Sequence, residues 1–325
     1  MAALLAREIM QEGVFTENLC KRFGDSRALN GVNLVAPAGT IGSILGPNGA
    51  GKTTTIRILS TLTTADSGRA FVGGHDVRAR PHTVRSIIAV TGQFAAIDGG
   101  LSGRENLVLI ARLHRQPRRL AKARADELLE RFELTSAAGR LARTFSGGMR
   151  RRLDLAMSLI TSPQVLFLDE PTTGLDPPSR ERLWEVVEDL RDNGTCVILT
   201  TQYLEEADRL ADNITVINHG RTVAVGTPPE LKLAYGGEIV EVHAAGDADA
   251  HRAAKSLALT AGLDGSAIML DAGSARARFR VQSGTFTVAA AVRALDAEGL
   301  DFIDINVHRA TLDEVFDVVT TAEQP

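Results

Sequence analysis

The stretch at residues 46–54, which reads GPNGAGKTT, has the residue types and spacing of a loop that binds phosphate groups. Gly46, Gly51, Lys52 and Thr53 fit the pattern G-x-x-x-x-G-K-[ST] between an apolar strand and a helix. Glycines let backbone N–H groups turn toward phosphate oxygens, and the helix directs its positive end at them. Lys52 would add a cation for the outer phosphates, and Thr53 could bind magnesium. The stretch predicts a nucleoside triphosphate site, with a glycine turn beside a surface lysine as the alternative.

Two carboxylates at the end of an apolar run indicate which reaction the bound nucleotide could undergo. Asp169 and Glu170 directly follow residues 165–168, a run that is short and apolar enough for a buried strand. Beside a phosphate loop, Asp169 could hold magnesium and Glu170 could polarise an attacking water. A pair with only a structural role is the alternative. Together with the loop, the pair predicts hydrolysis of the terminal phosphate.

A third feature is the segment Ser146-Gly147-Gly148, which precedes a helical pattern at residues 149–160. A serine and two glycines at a helix start would cap the helix and expose N–H donors to an anion. Taken alone, the segment is as consistent with a structural cap as with an anion site.

The elements around these groups alternate between strands and helices. A strand is predicted to end at Leu45 and a helix to occupy residues 52–62, so that the glycine loop joins them. Apolar spacings of three and four indicate a helical subdomain at about residues 95–163. The alternation that follows argues for a mainly parallel sheet with helices on it. The later strands are predicted at residues 165–168, 196–200 and 214–218, and the later helices at residues 179–192 and 205–210.

The character of the chain changes near Gly236, where glycine-loop motifs end and alanine and aspartate increase. We predict a first domain at residues 1–235 and a second at residues 236–325. The second has the order βαββαβ of a small α+β ferredoxin-like domain, followed by a helix at residues 312–319. It could regulate the first domain, widen a dimer interface or brace it. One apolar face of the last helix is predicted to pack on a partner surface; it carries Leu312, Val315 and Phe316.

Length and composition restrict the class of protein. The chain has 325 residues, a net charge of −4 and 44% hydrophobic residues, which fits two globular domains and gives no general reason to expect nucleic acid as a partner. The three arginines at residues 150–152 indicate a solvated helix face or a contact with an acidic partner, because no aromatic residues are interleaved with them. No apolar run reaches the roughly 18 residues that a spanning helix needs. If the chain works at a membrane, another chain supplies the membrane part.

Cysteine usage and the start of the chain bear on the compartment. Cys20 and Cys196 are the only cysteines, and both lie in apolar, strand-like surroundings where a small buried side chain is usual. This fits a reducing compartment. Arg7 and Glu8 interrupt the region in which a signal peptide would be apolar, so we do not expect secretion by that route.

The motifs occur in an order that resembles the ATP-binding-cassette (ABC) ATPases. The resemblance covers residues 14–230 and implies an α/β P-loop NTPase cassette with a mixed sheet core and a helical subdomain. It also implies a head-to-tail homodimer that holds two ATP molecules, each between the phosphate loop of one subunit and residues 146–148 of the other. In chain order the matching motifs are the phosphate loop, Gln93, the Ser-Gly-Gly segment, Asp169-Glu170 and Gly174-Leu175-Asp176.

The resemblance further implies roles for single residues. Phe23 would stack on adenine, although a buried core phenylalanine is a fair alternative. Gln93 would sense the magnesium site and touch the coupling region, and Asp176 would link the two sites across the dimer. The catalytic residues would be Lys52, Gln93, Glu170 and Gln202, and magnesium would be held by Thr53, Gln93 and Asp169. The nucleotide would be bound by Phe23, Gly46, Pro47, Asn48, Gly49, Ala50, Gly51, Lys52, Thr53, Thr54, Ser146, Gly147, Gly148 and Asp176.

Two residues depart from the family pattern. Met149 stands where most members have glutamine, which is tolerable because Ser146 and backbone groups are the donors. Gln202 stands where most members have histidine beside the transferring phosphate. Glutamine can hydrogen-bond that phosphate but cannot carry the positive charge of an imidazolium. We therefore expect slow turnover.

Gln202, together with residues 144–154 and 312–316, resembles the daunorubicin and doxorubicin resistance branch of the family. That branch implies an energy-coupling ATPase at the cytoplasmic face of the cell membrane, bound to separate permease subunits that export an antibiotic, drug or lipid-like compound. A soluble cassette ATPase acting on ribosomes or DNA is one alternative, disfavoured by the single phosphate loop. A nucleotide-gated regulator is another, favoured by Gln202 and disfavoured by Glu170.

Overall fold

The chain forms two compact units, which divide between Val225 and Gly226. The predicted boundary near Gly236 lies inside the second unit instead. Residues Pro228–Leu231 form a short helix, and a Cβ atom placed on Gly236 would lie only 2.4 Å from the Ala310 Cβ. Residues 226–235, which were predicted to end the first domain, therefore belong to the second unit. The computed structural model describes residues 13–92, 97–263, 268–271, 273–281 and 286–321.

Two sheets form the frame of the first unit. Its strands are β1 (Val14–Phe23), β2 (Ser26–Ala36), β3 (Ile41–Leu45), β4 (Ser67–Val72), β5 (His75–Asp76), β6 (Ile88–Thr91), β7 (Val165–Asp169), β8 (Cys196–Thr201), β9 (Asn213–Asn218) and β10 (Arg221–Gly226). The larger sheet has the order β10-β9-β3-β8-β7-β6, and the strands from β9 to β6 run parallel. The smaller, antiparallel sheet has the order β2-β1-β4-β5. The parallel order confirms the predicted α/β class and brings the carboxyl ends of β3, β8 and β7 side by side.

Burial explains why these strands form the centre. Every residue of β3, β7 and β8 is buried, as expected for parallel strands with both faces covered. Cys196 at the start of β8 is fully buried, and burial raises the pKa of its thiol to about 12. The buried reading of the cysteines is thus confirmed for Cys196, while Cys20 on β1 is only partly buried.

Seven α-helices accompany these sheets among the described residues of the first unit. They are α1 (Lys52–Leu59), α2 (Pro81–Ile87), α3 (Gly103–Leu113), α4 (Arg118–Arg131), α5 (Gly147–Ser158), α6 (Pro177–Asp192) and α7 (Leu204–Leu210). Helices α3, α4 and α5 lie within the predicted helical subdomain, and Leu107, Leu128 and Leu153 bring their apolar faces into one core. Helix α3 begins at a capping box in which Ser102 and Glu105 satisfy each other's backbone N–H groups.

The second unit has the predicted ferredoxin-like order. Its elements are α8 (Pro228–Leu231), a π-helical turn (Lys232–Gly236), β11 (Glu238–His243), α9 (Asp247–Thr260), β12 (Met269–Asp271), β13 (Arg276–Val281), α10 (Val288–Glu298), β14 (Asp304–Arg309) and α11 (Leu312–Thr321). The antiparallel sheet has the order β12-β13-β11-β14. Helices α9 and α10 contribute Leu257 and Leu295 to a core with Val240 and Phe279. None of the helices in the described part of the chain is long and apolar enough to cross a membrane.

Two of the three apolar residues of the last helix that were predicted to contact a partner are buried in the single chain. Leu312 is 3% exposed and Val315 is 1% exposed in the single chain. A Cβ atom on Gly236 would lie 3.3 Å from Val315 Cγ2, which places this part of α11 against the π-helical turn of its own unit. The prediction is therefore wrong for Leu312 and Val315, which are buried within their own unit, whereas Phe316 is half-buried.

Candidate active site

The glycine loop joins β3 to α1 in a conformation that requires its glycines. Gly51 has a φ of +112°, and a Cβ atom there would lie 2.6 Å from Leu29 Cδ2. A Cβ atom on Gly46 would lie 2.3 Å from the Ile217 carbonyl oxygen. Left-handed backbone and such close approach admit only glycine without rearrangement. The predicted order of strand, loop and helix is therefore present, with the loop pressed against β2 and the end of β9.

Lys52 points back into this loop. Its Nζ donates hydrogen bonds to the Gly46 carbonyl at 2.7 Å and to the Pro47 carbonyl at 3.2 Å, and lies 3.7 Å from Glu170 Oε1. The side chain is only 5% exposed. Burial lowers the pKa of Lys52, an effect that the charges of Glu170 and Asp169 oppose. The ammonium group thus stands between the loop and the second predicted carboxylate.

Asp169 ends β7 opposite the start of α1. The Thr53 hydroxyl donates to Asp169 Oδ2 at 3.0 Å and lies 3.2 Å from Oδ1. Thr200, on the neighbouring strand β8, donates to Oδ1 at 2.6 Å. A hydroxyl and a carboxylate are hard oxygen ligands, and two neighbouring ligands of octahedral magnesium are separated by about 2.9 Å. The spacing of Thr53 and Asp169 therefore fits the ion that the sequence predicted there.

Glu170 occupies an unusual backbone conformation immediately after the strand. Its φ is +48°, in the left-handed region that residues with a Cβ atom rarely adopt. Its N–H group donates to Thr200, both to the carbonyl and to the hydroxyl, at 3.1 Å. The carboxylate accepts a hydrogen bond from the Thr173 hydroxyl at 3.4 Å. Strain of this kind is common where a side chain must be aimed, and here Glu170 is turned toward Lys52.

A cleft of about 250 Å³ opens over the loop. Ala28, on β2, also lines this cleft, a role that was not predicted from the sequence. Ala50 belongs to the loop but does not line the cleft, because its side chain is buried. Its carbonyl accepts a hydrogen bond from the Gly220 N–H group. The residues that line the cleft are Ala28, Pro47, Asn48, Gly49, Gly51, Lys52, Thr53, Thr54 and Glu170.

The two predicted glutamines follow strands that end at this edge of the sheet. Gln202 comes directly after β8, which lies between β3 and β7, and its side chain is exposed. Gln93 lies outside the described residues. The described chain reaches Gly92, one residue past the end of β6, and Thr91 is paired with Leu168 on β7.

Phe23 is not a core residue. Its side chain is 51% exposed, and the Lys21 ammonium lies 5.3 Å from the centre of its ring. The buried alternative is therefore wrong. Phe23 pairs with Ser26 at the end of the β1–β2 hairpin, the hairpin that brings Ala28 to the cleft.

Ser146, Gly147 and Asp176 are not among the residues that line the cleft in the described part of the chain. Ser146 and Gly147 are exposed at the start of α5. The Ser146 oxygen accepts the Met149 N–H group at 3.2 Å, so its own hydrogen can be donated outward. Gly148 is buried, and a Cβ atom there would lie 2.6 Å from the Ser179 hydroxyl.

Asp176, the N-cap residue of α6, is likewise exposed. A hydrogen bond with the Ser179 side chain lowers the pKa of its carboxyl group. Ser179 therefore lies beside both Asp176 and Gly148, so the two segments that were expected at a dimer interface are neighbours in one chain.

Two residues near the carboxylates were not predicted from the sequence. Thr200 holds both Asp169 and the backbone of Glu170; its position at the end of a buried strand, two residues before Gln202, was the available signal. Arg151 was assigned with its neighbours to a solvated helix face, yet it is 14% exposed and donates to the Pro171 carbonyl at 2.7 Å. Arg152 is 15% exposed and donates to the Phe132 carbonyl at 2.9 Å. The solvated reading is wrong for both, because loop carbonyls need these donors.

The sequence and the fold of this chain are similar to those of known proteins. A family model described as "ABC transporter" matches residues 29–173. The chain is 50% identical over 296 residues to a daunorubicin resistance ATP-binding protein, DrrA3, of Streptomyces coeruleorubidus, with 91% of this chain and 92% of the relative covered. It is 44% identical over 312 residues to a doxorubicin resistance ATP-binding protein, DrrA, of Mycobacterium tuberculosis, with 95% and 93% covered. A solved structure described as the ADP conformation of an ATP-binding cassette of an ABC transporter matches with a TM-score of 0.61 and 26% identity, and covers 67% of this chain and 92% of its own.

Proposed function

Because the chain belongs to the ATP-binding proteins of ABC transporters, in the group of the daunorubicin and doxorubicin resistance proteins, we propose that it hydrolyses ATP to drive export of an amphipathic compound. The compound would be an antibiotic, a drug or a lipid-like molecule, and it would pass through separate membrane subunits. The observation that carries the proposal is the convergence of Lys52, Asp169 and Glu170 on one glycine loop.

The chemistry follows from the positions of these groups. The phosphates of ATP would lie on the N–H groups of the loop, with the terminal phosphate beside the Lys52 ammonium. The Glu170 carboxylate would orient a water molecule and accept its proton as the water oxygen bonds to the terminal phosphorus. The bond to the leaving phosphate oxygen breaks, and ADP and inorganic phosphate result. A magnesium ion held by Thr53 and Asp169 would neutralise charge on the phosphates.

Gln202 and Phe23 complete this half of the site. The Gln202 side chain is exposed at the end of β8, between the loop strand and the carboxylate strand, where its amide could donate to the terminal phosphate. The exposed ring of Phe23 could stack on adenine. Because Gln202 cannot supply the positive charge of an imidazolium, we expect ATP hydrolysis to be slow.

The other half of the site would come from a second copy of the chain. Ser146 and Gly147 form an exposed helix start with an outward hydroxyl donor, which suits a phosphate that is presented by another subunit. Two copies related by a two-fold axis would then hold two ATP molecules between them. Asp176 would lie at the same interface, beside Gly148.

A groove next to β6 is the surface that we propose for the membrane subunits. It has a volume of about 270 Å³ and lies between this edge strand and helices α3 and α5. Its lining includes Ile88, Val90 and Ile110, and Leu109 and Leu113 on α3 are 42% and 69% exposed. The groove is also lined by Asp154 and Ser158, so an amphipathic helix of the permease suits this surface. Strand β6 leads from the groove to Gly92 at the active-site edge. Docking there would keep the chain at the membrane.

The decisive experiment measures ATP hydrolysis by the purified chain and by Glu170→Gln, each alone and with the permease in lipid vesicles. We expect magnesium-dependent hydrolysis that the permease stimulates, and a loss on the order of 10²- to 10⁴-fold in Glu170→Gln, because the group that accepts the proton is removed. Glu181→Gln, an exposed glutamate on α6, is the matched control and should keep full activity.

Each negative outcome identifies a different alternative. Hydrolysis that the permease never changes would argue against a transport motor and favour a soluble cassette ATPase. ATP binding without hydrolysis under any condition would contradict the proposal and favour the nucleotide-gated regulator, with Gln202 as its cause.

A further inference from the structure

Arg151 connects helix α5 to two backbone segments of the first unit, one around Glu170 and one after β6. It lies on α5, five residues after Ser146. Its Nε donates to the Pro171 carbonyl at 2.7 Å, and its Nη1 donates to the Gly92 carbonyl at 2.9 Å. Its Nη2 lies 3.4 Å from the Asp169 carbonyl oxygen. One guanidinium group thus contacts the backbone on both sides of Glu170 and the residue that follows β6.

The same guanidinium also reaches the groove proposed for the permease. Nη1 lies 3.5 Å from Asp154 Oδ2, and the Arg151 and Asp154 side chains are 14% and 7% exposed. Asp154 lines the groove beside β6. Burial lowers the pKa of Arg151, but the charges of Asp154, Glu206 and Asp169 oppose this effect, and an arginine stays protonated in any case.

We infer that Arg151 is a positioning residue, which couples α5 and the permease groove to the loop that carries Asp169 and Glu170. This inference depends on the ATPase function proposed above. The planar fork of arginine can hold several carbonyl groups at fixed angles, which a lysine cannot do. Movement of α5, whether it is caused by a partner at Ser146 or by the permease at Asp154, would then be transmitted directly to the carboxylates.

The neighbouring arginine provides a matched control. Arg152 lies on the same helix, and its side chain is 15% exposed, against 14% for Arg151. Its partners are the Phe132 carbonyl and Glu133, at the end of α4. Replacing Arg152 therefore removes a buried arginine of the same kind without touching the segments around Asp169 and Glu170.

The test compares Arg151→Met with Arg152→Met in ATP hydrolysis, ATP affinity, thermal midpoint and amide hydrogen exchange. We expect Arg151→Met to lower kcat by 10- to 100-fold with the ATP dissociation constant changed less than about threefold, because displacement of catalytic groups costs rate more than binding. Amide exchange should accelerate in residues 88–92 and 169–173. In Arg152→Met, exchange should accelerate near residues 130–134, and kcat should fall by less than about threefold.

Two results would overturn the inference. One is equal loss of kcat in the two variants at equal thermal midpoints, which would show a general effect of losing a buried arginine. The other is a folded Arg151→Met with a kcat within about twofold of the wild type. If Arg151→Met does not fold, Arg151→Lys and Arg152→Lys replace the pair, and the same difference in kcat and exchange is required. Wild-type protein without magnesium-dependent hydrolysis would instead contradict the proposed function itself.

Discussion

The glycine loop at residues 46–51 and the segment at residues 146–148 both stand at the amino end of a helix, but their surroundings differ. Around the loop, β2, β7 and β9 approach closely, and Lys52 and Asp169 are buried. Around the segment, Ser146 and Gly147 are exposed, and the hydroxyl and carbonyl oxygens of Ser146 accept hydrogen bonds from the N–H groups of Met149 and Arg150 on the same helix.

The difference shows which part of the site one chain can build. A charged group such as Lys52 can be buried only where carbonyls and carboxylates of the same chain compensate it. An exposed helix start needs no such compensation and remains available to an anion from outside. We therefore expect the loop to be a preorganised half of the site and the segment to be the half that a second copy uses.

The strongest test of this contrast mixes two inactive variants. Lys52→Ala and Ser146→Arg should each lose hydrolysis on the order of a hundredfold or more, since each removes a charge or donor at the phosphates. In a head-to-tail dimer of the two, one site combines an intact loop with an intact segment. The 1:1 mixture should therefore regain up to roughly a quarter of wild-type activity, because about half of random dimers are mixed and carry one intact site.

The control for this mixture is Lys52→Ala combined with the double variant Lys52→Ala/Ser146→Arg, in which no pairing leaves an intact site. Hydrolysis is measured by phosphate release at equal total protein. Failure of the first mixture to exceed its components would contradict the assignment of residues 146–148 to a partner subunit.

Phe23→Ala tests whether the β1–β2 hairpin contributes to the same half of the nucleotide site as the glycine loop. We expect the ATP dissociation constant to rise on the order of tenfold, because stacking on a base contributes about 1–3 kcal/mol. The thermal midpoint should stay unchanged, since Phe23 is 51% exposed. Phe23→Trp should keep the affinity. Titration with a fluorescent ATP analogue measures both variants, and an unchanged affinity in Phe23→Ala would remove this residue from the site.

Gln202→His restores the histidine that most family members have beside the terminal phosphate, in the same half of the site as the glycine loop. An imidazolium would add charge beside the terminal phosphate, so we expect kcat to rise several-fold near pH 6.5 and less at pH 8.5, above the usual histidine pKa of about 6.5. Gln202→Ala should be slower than the wild type at both pH values. The kcat–pH profile measures this. Equal activity of all three proteins would mean that position 202 does not act on the phosphate.

Glu206→Gln has the smallest expected effect. It tests the hydrogen bond between Trp184 and Glu206, which joins helices α6 and α7. Glu206 accepts a hydrogen bond from Trp184 Nε1 at 3.1 Å. It thereby joins α6, whose N-cap residue is Asp176, to α7, which follows Gln202. Burial raises the pKa of Glu206 above its usual value of 4.5. The neutral carboxyl is favoured in the folded state, so its contribution to the free energy of unfolding is complete below the unfolded pKa and is lost as pH rises through the folded pKa.

Glutamine stays neutral throughout. The stability of Glu206→Gln relative to the wild type should therefore increase as pH rises from about 4.5, as measured by urea unfolding between pH 4.5 and pH 8. A difference that does not change with pH would mean that Glu206 is ionised in the folded protein over this range.

Local patterns were predictable where short-range rules decide structure. The strand, the glycine loop and helix α1 were placed correctly because strand burial, glycine conformation and helix start are all set within a few residues. The βαββαβ order of the second unit was predicted for the same reason. Strand β6 was missed, since a four-residue edge strand carries almost no periodic signal.

Several environments could not be predicted, because they depend on partners distant in the chain. Phe23 looked as suitable for a core as for adenine, and only the end of the hairpin exposes it. The arginines at residues 150–152 look like a solvated run. However, Arg151 donates hydrogen bonds to the Gly92 and Pro171 carbonyls, and Arg152 donates one to the Phe132 carbonyl. The first domain was predicted to extend to residue 235, whereas the first unit ends at Val225 and the residues from Gly226 onward belong to the second unit.

The sequence by itself determined the chemistry of this protein: a loop that only glycines can form, a lysine and a threonine after it, and two carboxylates after a buried strand. Tertiary structure decided that these groups meet. Lys52 and Glu170 are distant in sequence, and they converge because β8 pairs in parallel with both β3 and β7. It also decided that Thr200 holds Asp169 and that Arg151 reaches three separate carbonyls. No local rule encodes such contacts, since they depend on which strands become neighbours when the apolar faces are buried.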